Sequence, residues 1–173
     1  MKYLFSLGIM SLLLLSASTS SAQSDKSKRP SPPATVTQKV GDATIVIDYS
    51  QPSVKGRTIG KDLEPKDGEV WRTGANEATV FEVDKDVMVE GSALPKGKYA
   101  LFTVVNGSEW TIIFNKTWKQ WGAFKYSQAD DQLRVTGKAE KAKTFAEKMT
   151  FSISPAGKVS LWWGDNEVSF KVK

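Results

Sequence analysis

The stretch from Glu69 to Val83, EVWRTGANEATVFEV, begins and ends like a β-strand but carries a polar cluster in its middle. Arg72, Asn76 and Glu77 form that cluster. An arginine guanidinium favours bidentate contact with a carboxylate or phosphate, and a glutamate can act as a general base or pair with a cation. The stretch is therefore the first candidate for a polar binding site.

Strand alternation predicts where Glu77 points. Phe81 must face the core, and counting back by twos from Phe81 brings Glu77 to the same face. A carboxylate on that face must be paired, hydrogen-bonded or part of a pocket wall, because an unpartnered buried charge is very costly. We expect Arg72 to be its partner and Arg57 to be the second choice. Gly74 would supply the bulge or positive-φ bend that turns Arg72 back toward the carboxylate.

Two interpretations of this cluster are open. In the structural one, Arg72 and Glu77 form a buried ion pair and Asn76 caps the turn, so that the cluster braces a corner of the fold. In the functional one, the three side chains lie at the mouth of the fold and bind a polar or anionic ligand. A hydrolase with Glu77 as general base and Arg72 steering the substrate is a further alternative. Glycoside hydrolysis would need a second carboxylate, and none stands at a meaningful spacing.

A second candidate feature is the aromatic segment NKTWKQWGAFKYSQADD, which contains Trp118, Trp121, Phe124 and Tyr126. It is too long for a simple turn between two strands. Loops of this kind form platforms on which sugars stack, or lids; they also form satellite clusters packed over the end of a domain. Both interpretations are open, and Trp118 and Trp121 join the candidate ligand-binding residues.

The chain of 173 residues contains no histidine and no cysteine. Ser-His and Cys-His nucleophile pairs are therefore excluded, as are ordinary zinc, copper and haem sites. The acidic pairs fit turns better than a calcium loop, so we expect no metal and no cofactor. The formal net charge of +5 comes from interspersed lysines and acidic residues, which does not indicate nucleic-acid binding.

The N-terminal sequence has the plan of a secretory signal peptide over residues 1–22. Lys2 is the basic part, Leu4 to Leu15 the apolar part, and Ala22 the last residue before cleavage. The apolar run is shorter than the roughly 20 residues that span a bilayer, and no cysteine follows it for lipid attachment. We expect export to the periplasm or the extracellular space, with no membrane span after cleavage and no lipoprotein anchor. Residues 23–34, rich in Pro, Ser and Lys, are expected to be a disordered tether.

Two-residue alternation dominates from residue 35 onward and predicts the elements that must position these side chains. It puts Ile45, Ile47 and Tyr49 on one face of a strand, and Met149, Phe151 and Ile153 on the inner face of another. The regular spacing of short strands predicts a single antiparallel β-sandwich domain over residues 35–173. Its topology would be jelly-roll-like or Ig-like, with about eight to ten strands.

Three local predictions specify the sandwich further. Asn106-Gly107 is expected to form a two-residue hairpin turn that places Leu101 opposite Ile112. Asp165-Asn166 is expected to form a second such turn, which leaves Trp162 on the wetter face. The segment from Lys138 to Lys148 has helix-forming composition, but we favour a charged hairpin tip.

Several blocks of the sequence resemble one known family. YSQPSVKGR, VWRTGANEAT, LPKGKYALFTV, EWTIIFNK and DQLRV are similar to motifs of exported bacterial proteins catalogued as domain of unknown function 2911. The resemblance covers nearly the whole chain beyond the tether, and the WRTGANEAT block is its most specific part. It implies an exported β-domain and no established activity. Gln51 stands where the family pattern leads us to expect Arg, and EPKDG replaces a shorter, tyrosine-bearing turn.

Together these observations favour a monomeric binding module for a small molecule, a glycan or a peptide. A structural or envelope scaffold is the first alternative and a cofactor-independent hydrolase the second; enzymatic activity is the less expected outcome. The candidate ligand-binding residues are Arg57, Trp71, Arg72, Asn76, Glu77, Trp118 and Trp121.

Overall fold

The computed structural model describes residues 25–173, so the predicted signal peptide, residues 1–22, lies outside the described part. Within residues 25–173 the chain forms ten β-strands, two short 3-10 segments (Lys26–Lys28 and Gln128–Asp130) and no α-helix. The strands are β1 (Pro33–Val40), β2 (Ala43–Ser50), β3 (Val70–Trp71), β4 (Val80–Val83), β5 (Val87–Val89), β6 (Ser92–Leu94), β7 (Gly97–Asn106), β8 (Glu109–Asn115), β9 (Asp131–Ile153) and β10 (Lys158–Lys171).

The named strands pair antiparallel. One sheet follows the order β1-β2-β4-β7-β8-β9-β10, with β3 also pairing with β7, and it curls into a half-barrel; β5 and β6 form a small second sheet. The curl brings distant strands together, since the rings of Phe81 in β4 and Phe170 in β10 lie 6.2 Å apart. The predicted all-β antiparallel fold of about eight to ten strands is confirmed.

The core lies on the concave face of this sheet. Ile45, Ile47 and Tyr49 are all buried there, as the alternation in β2 predicts. Met149, Phe151 and Ile153 are likewise buried in β9. The strands stay in this arrangement because each presents one apolar face whose burial is favourable by about 25 cal/mol per Å².

The centre of the sheet is also covered on its convex face. Phe102 and Ile113 are fully buried there and form a second apolar cluster with Ala100 and Val104. Tyr126, from the loop between β8 and β9, packs edge-on against Phe102 with ring centroids 5.2 Å apart. The aromatic segment therefore crosses the convex face of β7 and β8, which explains why β7 is apolar on both faces.

The hairpin between β7 and β8 has a different register from the predicted one. Asn106 pairs with Glu109, so the two turn residues are Gly107 and Ser108 rather than Asn106 and Gly107. Leu101 consequently lies opposite Phe114 instead of Ile112. Gly107, the first of the two turn residues, has φ of +61°. A glycine adopts this left-handed conformation without steric cost, which favours Gly107 at the first turn position. The apolar face is unchanged, because the shift is by two residues.

The predictions for the C-terminal third are wrong in two places. Asp165-Asn166 is not a turn, because β10 runs through it from Lys158 to Lys171. The segment from Lys138 to Lys148 is neither helix nor hairpin tip but part of β9, a strand of 23 residues. The hairpin turn between these strands lies at Ser154–Gly157, where the Gly157 N–H donates to the Ser154 carbonyl at 2.8 Å. The ladder between β9 and β10 shifts register on both sides of Gly164, and these shifts replace the expected turn.

The described part of the predicted disordered tether, residues 25–34, contacts the domain and contains the start of a strand. β1 begins at Pro33, within the predicted tether. The carbonyl of Pro32 accepts a hydrogen bond from the Gln51 N–H at 2.9 Å. Residues 25–32 are therefore held against the domain, and we call them the N-terminal strap.

Among the helices of the described residues, none has the length and apolar character needed to cross a membrane.

Candidate functional site

The segment between β3 and β4 is a tight loop rather than a continuation of the strand. Thr73 and Asn76 both have positive φ, at 53° and 59°, and β4 begins only at Val80. The Thr79 hydroxyl closes the loop by donating to the Thr73 carbonyl at 2.7 Å. Strand alternation counted back from Phe81 therefore stops being valid before it reaches residue 77.

Gly74 contributes to this loop by its size and not by a bulge or a positive φ. A Cβ at this position would lie 3.0 Å from the Thr79 hydroxyl and 3.2 Å from the carbonyl of Ser50. The glycine therefore lets the loop pack closely against the end of β2, and Trp71 donates from Nε1 to the Gly74 carbonyl at 3.1 Å.

The predicted pair between Arg72 and Glu77 is wrong. The Arg72 Nε is buried and has no hydrogen-bond partner within residues 25–173. Burial lowers the pKa of the Arg72 guanidinium, and the nearby Glu64 carboxylate opposes that shift. Arg72 and Glu77 form no ion pair with each other, and the positive φ values at Thr73 and Asn76 interrupt the extended backbone between them.

Glu77 instead forms ion pairs with two cationic side chains of the N-terminal strap. Arg29 Nη1 donates to Glu77 Oε2 at 2.7 Å, and Lys26 Nζ lies 3.0 Å from Glu77 Oε1. Partial burial alone would raise the pKa of Glu77, but a backbone hydrogen bond within the residue and the bonds from Lys26 and Arg29 outweigh it and lower the pKa. The carboxyl side chain is 39% exposed, so this is a surface ion cluster and not a buried brace.

Asn76 holds the same strap. Its side-chain Nδ2 donates to the Ser31 carbonyl at 2.9 Å, instead of capping its own turn. Gln51 adds the backbone bond to Pro32 described above, while its side chain donates to the Met149 carbonyl at 3.1 Å. The polar cluster of the opening stretch thus docks a segment that lies far away in sequence.

The aromatic loop between β8 and β9 forms backbone hydrogen bonds with the loop between β3 and β4. The Ala78 N–H donates to the Gln120 carbonyl at 3.0 Å, and the Gly122 N–H donates to the Asn76 carbonyl at 2.9 Å. Within the loop, the buried Gln120 side chain donates to the Thr117 carbonyl and accepts from the Lys125 N–H. These bonds fix the path of the loop and hence the positions of its tryptophans.

Trp118 and Trp121 both reach the surface at this point, with exposed fractions of 37% and 54%. Each ring faces a cation: Lys98 Nζ lies 5.5 Å from the Trp118 ring centroid, and Arg29 Cζ lies 5.7 Å from that of Trp121. Both distances are within the range of about 6 Å for a cation–π interaction. Unlike Tyr126, these two aromatic residues are not packed as core.

A cavity of about 490 Å³ opens between this loop, β2 and the start of β4. Its walls combine apolar and charged side chains: two carboxylates (Asp48 and Glu77) and two ammonium groups (Lys26 and Lys119) share it with the tryptophans. The lining residues are Lys26, Pro33, Asp48, Tyr49, Ser50, Glu77, Ala78, Val80, Trp118, Lys119, Gln120 and Trp121. A cleft of this size and composition suits a small polar ligand or part of a larger chain.

The structure brings together only part of the predicted set. Glu77, Trp118 and Trp121 line the cavity, whereas Asn76 does not line it and bonds to the strap at Ser31. Trp71 is buried in the core with 2% exposure, and Arg57 holds its own turn by donating to the carbonyls of residues 53 and 54. Neither they nor Arg72 are among the residues that line the cavity.

Sequence reasoning missed Lys26, Arg29 and Asp48 as members of the site. The sequence predicts a tether around these two cations, because their neighbours are Pro and Ser, which signal a loop but do not indicate where the loop docks. Asp48 was detectable, because alternation in β2 places it on the face opposite Ile47. Its carboxylate accepts from the Thr35 hydroxyl at 2.6 Å.

A second cavity, of about 610 Å³, lies over β9 and β10 and contains none of the predicted site residues. Phe145 and Trp162 line it together with Lys143, Lys148 and Glu167. Within residues 25–173, no three carboxylates lie close enough together to hold a metal ion.

No curated protein and no solved structure matches the chain significantly. One family model does match, over residues 31–172, which begin within the strap and end at the last core residue of the chain. The chain therefore belongs to the family described as protein of unknown function (DUF2911).

Proposed function

We propose that this protein is a binding module whose ligand enters the cavity beside Trp118 and Trp121. The observation that supports this most directly is the exposure of Trp121, which is 54% exposed although it borders a formed cavity. Large aromatic side chains contribute most to stability when they are buried, so an exposed pair beside a cavity favours a role in contact with a ligand. Small molecules, glycans and peptides all present groups that fit such a surface.

The state of Glu77 favours binding over hydrolysis. A general base at neutral pH works best when its pKa is raised toward that pH. The pKa of Glu77 is lowered instead, and both carboxylate oxygens already have cationic partners, Lys26 and Arg29. We therefore place Glu77 in recognition of charge and not in proton transfer.

The scaffold alternative would treat the same cluster as a corner brace. Against it stands the solvent exposure of the Glu77 carboxyl and of Lys26, which is 50% exposed. Ion pairs at this level of exposure contribute about 0–1 kcal/mol, too little for a major structural brace.

A tryptophan-dependent binding experiment tests the proposal. Glycans, peptides and small anions are screened by thermal shift against the full chain, and hits are titrated against Trp121→Ala. The matched control is Phe124→Ala, which removes an aromatic side chain that is 86% exposed in the same loop but does not line the cavity. We expect Trp121→Ala to weaken binding at least about tenfold and Phe124→Ala to leave it unchanged. Equal binding by both variants, or no hit in the screen, would favour the scaffold.

We also propose that the protein is exported and that cleavage follows Ala22. The basic, apolar and small-residue parts of residues 1–22 support this. Cell fractionation and N-terminal sequencing test it: a processed chain in the periplasm or medium is expected, and an unprocessed chain in the cytosol would contradict it.

A further inference from the structure

The N-terminal strap places a guanidinium against the proposed site in the way that a ligand would be held. Arg29 Nη1 bonds to the Glu77 carboxylate at 2.7 Å while its Cζ lies 5.7 Å from the Trp121 ring centroid. A single side chain thus makes both the charge contact and the aromatic contact that the site offers. Its neighbour Lys26 lines the cavity itself.

These two contacts select for a cation. An anion at the same position would face the Glu77 carboxylate and the negative face of the indole, whereas a planar guanidinium is complementary to both. The wall of the cavity also contains a second carboxylate, Asp48, and the ammonium group of Lys119. Once Lys26 withdraws, the lining that residues 25–173 supply keeps two carboxylates, Asp48 and Glu77, and one ammonium group, Lys119, so this lining is net negative.

We propose that the cavity binds a basic peptide through an arginine side chain that takes the place of Arg29, and that the strap competes for this position within the chain. This inference rests on the proposed function and names its ligand class. The strap is a pseudo-ligand: its guanidinium is held by Glu77 and Trp121 until a peptide displaces it.

The anchoring of the strap makes such competition effective. The Ser31 and Pro32 carbonyls accept hydrogen bonds from Asn76 and Gln51, so Arg29 lies only a few residues from a fixed point of the backbone. A short tether of this kind gives an effective concentration on the order of millimolar. The ion pairs themselves are exposed and individually weak, so a peptide that fills the cavity as well can displace them.

The test measures a labelled peptide, Lys-Ser-Lys-Arg-Pro-Ser, which copies residues 26–31, by fluorescence anisotropy on the full chain. The strap variant is Lys26→Ala combined with Arg29→Ala. Its matched control is Lys28→Ala, which removes an 83% exposed cation from the same strap; within residues 25–173, its ion pair is with Asp25 alone. We expect the strap variant to bind the peptide at least about tenfold more tightly than the wild type, and Lys28→Ala to bind like the wild type.

Further arms test the guanidinium itself. A peptide with glutamine in place of arginine should lose at least about tenfold in affinity for the strap variant, and Trp121→Ala in the strap variant should lose as much. In the wild type, adding the arginine peptide should increase amide hydrogen exchange across the strap. This last measurement needs no substitution, so it still decides the proposal if a variant fails to fold.

Equal affinity of the strap variant and of Lys28→Ala for the arginine peptide would contradict competition by the strap. Equal binding of the glutamine and arginine peptides by the strap variant would contradict an arginine side chain as the ligand. If the strap variant binds a neutral oligosaccharide in a Trp121-dependent manner but does not bind the arginine peptide, this inference fails and the binding module stands. If Trp121→Ala changes the binding of no screened compound, both fail.

Discussion

Arg29 and Glu77 are joined by a 2.7 Å ion pair across 48 positions of sequence, and this contact connects the N-terminal strap to the most distinctive block of the chain. The Arg29 side chain is 22% exposed and that of Glu77 is 39% exposed. The contact is therefore accessible to solvent and can exchange with a competing cation. It also explains how a polar loop can occur between two strands of a β-domain without a buried, unpaired carboxylate.

We predict that Glu77→Gln releases the strap while leaving the fold intact. The loss of an exposed ion pair should lower the free energy of unfolding by no more than about 1 kcal/mol. Release should make trypsin cleave faster after Lys26 and Lys28, which mass spectrometry of the digest measures. Cleavage after Arg29 is not informative, because Pro30 follows it.

The matched control for that variant is Glu82→Gln. Glu82 pairs with Lys98 at 2.9 Å, and its side chain is 36% exposed, close to the value for Glu77. Urea unfolding should show a similarly small loss of stability, with no change in strap cleavage. Equal cleavage of both variants would contradict the role assigned to Glu77.

Strap docking should also depend on pH. The pKa of Glu77 is lowered when the strap is docked and returns toward its ordinary value of 4.5 when the strap leaves. A group whose pKa is lowered contributes its stabilisation above that ordinary value and loses it as the pH falls through the lowered pKa. We therefore expect a docked strap at neutral pH and a released strap in acid.

Nuclear magnetic resonance of the Trp121 indole N–H, followed from about pH 7 to about pH 3, checks this expectation. The resonance should shift in a single transition below about pH 4.5, and Glu77→Gln should abolish it. A transition of the same size in Glu77→Gln would assign the pH dependence to another group.

Arg72→Met should stabilise the protein. The Arg72 Nε is buried without a hydrogen-bond partner within residues 25–173, and an unsatisfied buried donor costs about 1–3 kcal/mol. Methionine keeps the apolar stem and removes the donor, so the free energy of unfolding should rise by about 1 kcal/mol in a urea titration. Ligand affinity should not change, because Arg72 does not line the cavity.

Arg134→Met is the contrasting variant for Arg72→Met. The Arg134 guanidinium bonds to Asp131 at 2.8 Å and to the Tyr126 hydroxyl at 3.0 Å, so its loss leaves a carboxylate with 6% exposure without its cation. A decrease of about 1–2 kcal/mol is expected for this variant. If Arg72→Met is destabilised as much as Arg134→Met, the buried guanidinium has a favourable role that its contacts do not show.

Gly157→Ala should severely destabilise the fold at the turn between β9 and β10. A Cβ there would overlap the Val172 carbonyl oxygen, and the residue has φ of +82°. Steric overlap and backbone strain together should cost about 3–5 kcal/mol. Gly41→Ala is the control, because Gly41 also has a positive φ but a Cβ added there would have nothing within 4 Å. Its cost should be limited to about 1–2 kcal/mol, and equal thermal shifts for the two variants would contradict the steric argument.

Local alternation predicted the inward faces correctly wherever a strand is regular. Ile45 and Ile47 in β2 and Phe151 in β9 are buried because successive side chains point to opposite faces, which is a property of the strand alone. The same rule failed at Glu77, since the positive φ values at Thr73 and Asn76 interrupt the extended backbone. Alternation carries no information across such a loop.

Turn positions were less predictable for a related reason. Asp165 and Asn166 have the composition of a hairpin turn, yet β10 continues through them because β9 offers a long partner strand. Backbone hydrogen bonds to an adjacent strand outweigh the local preference of two residues. The actual turn uses Gly157, whose positive φ a glycine adopts without strain.

Four properties follow from the amino-acid sequence alone: the all-β class, the inward faces of the regular strands, the family, and the exclusion of histidine and cysteine chemistry. Each of these depends on composition, motifs or nearest-neighbour geometry along the chain. Only the folded chain shows that Glu77 pairs with Arg29 and Lys26, that the Arg72 Nε has no hydrogen-bond partner within residues 25–173, and that Trp118 and Trp121 border the same cavity. These relationships join segments that are far apart in sequence. The order and curl of the sheet decide which segments meet. A charged side chain can pair only with the groups that the folded backbone brings within hydrogen-bonding distance.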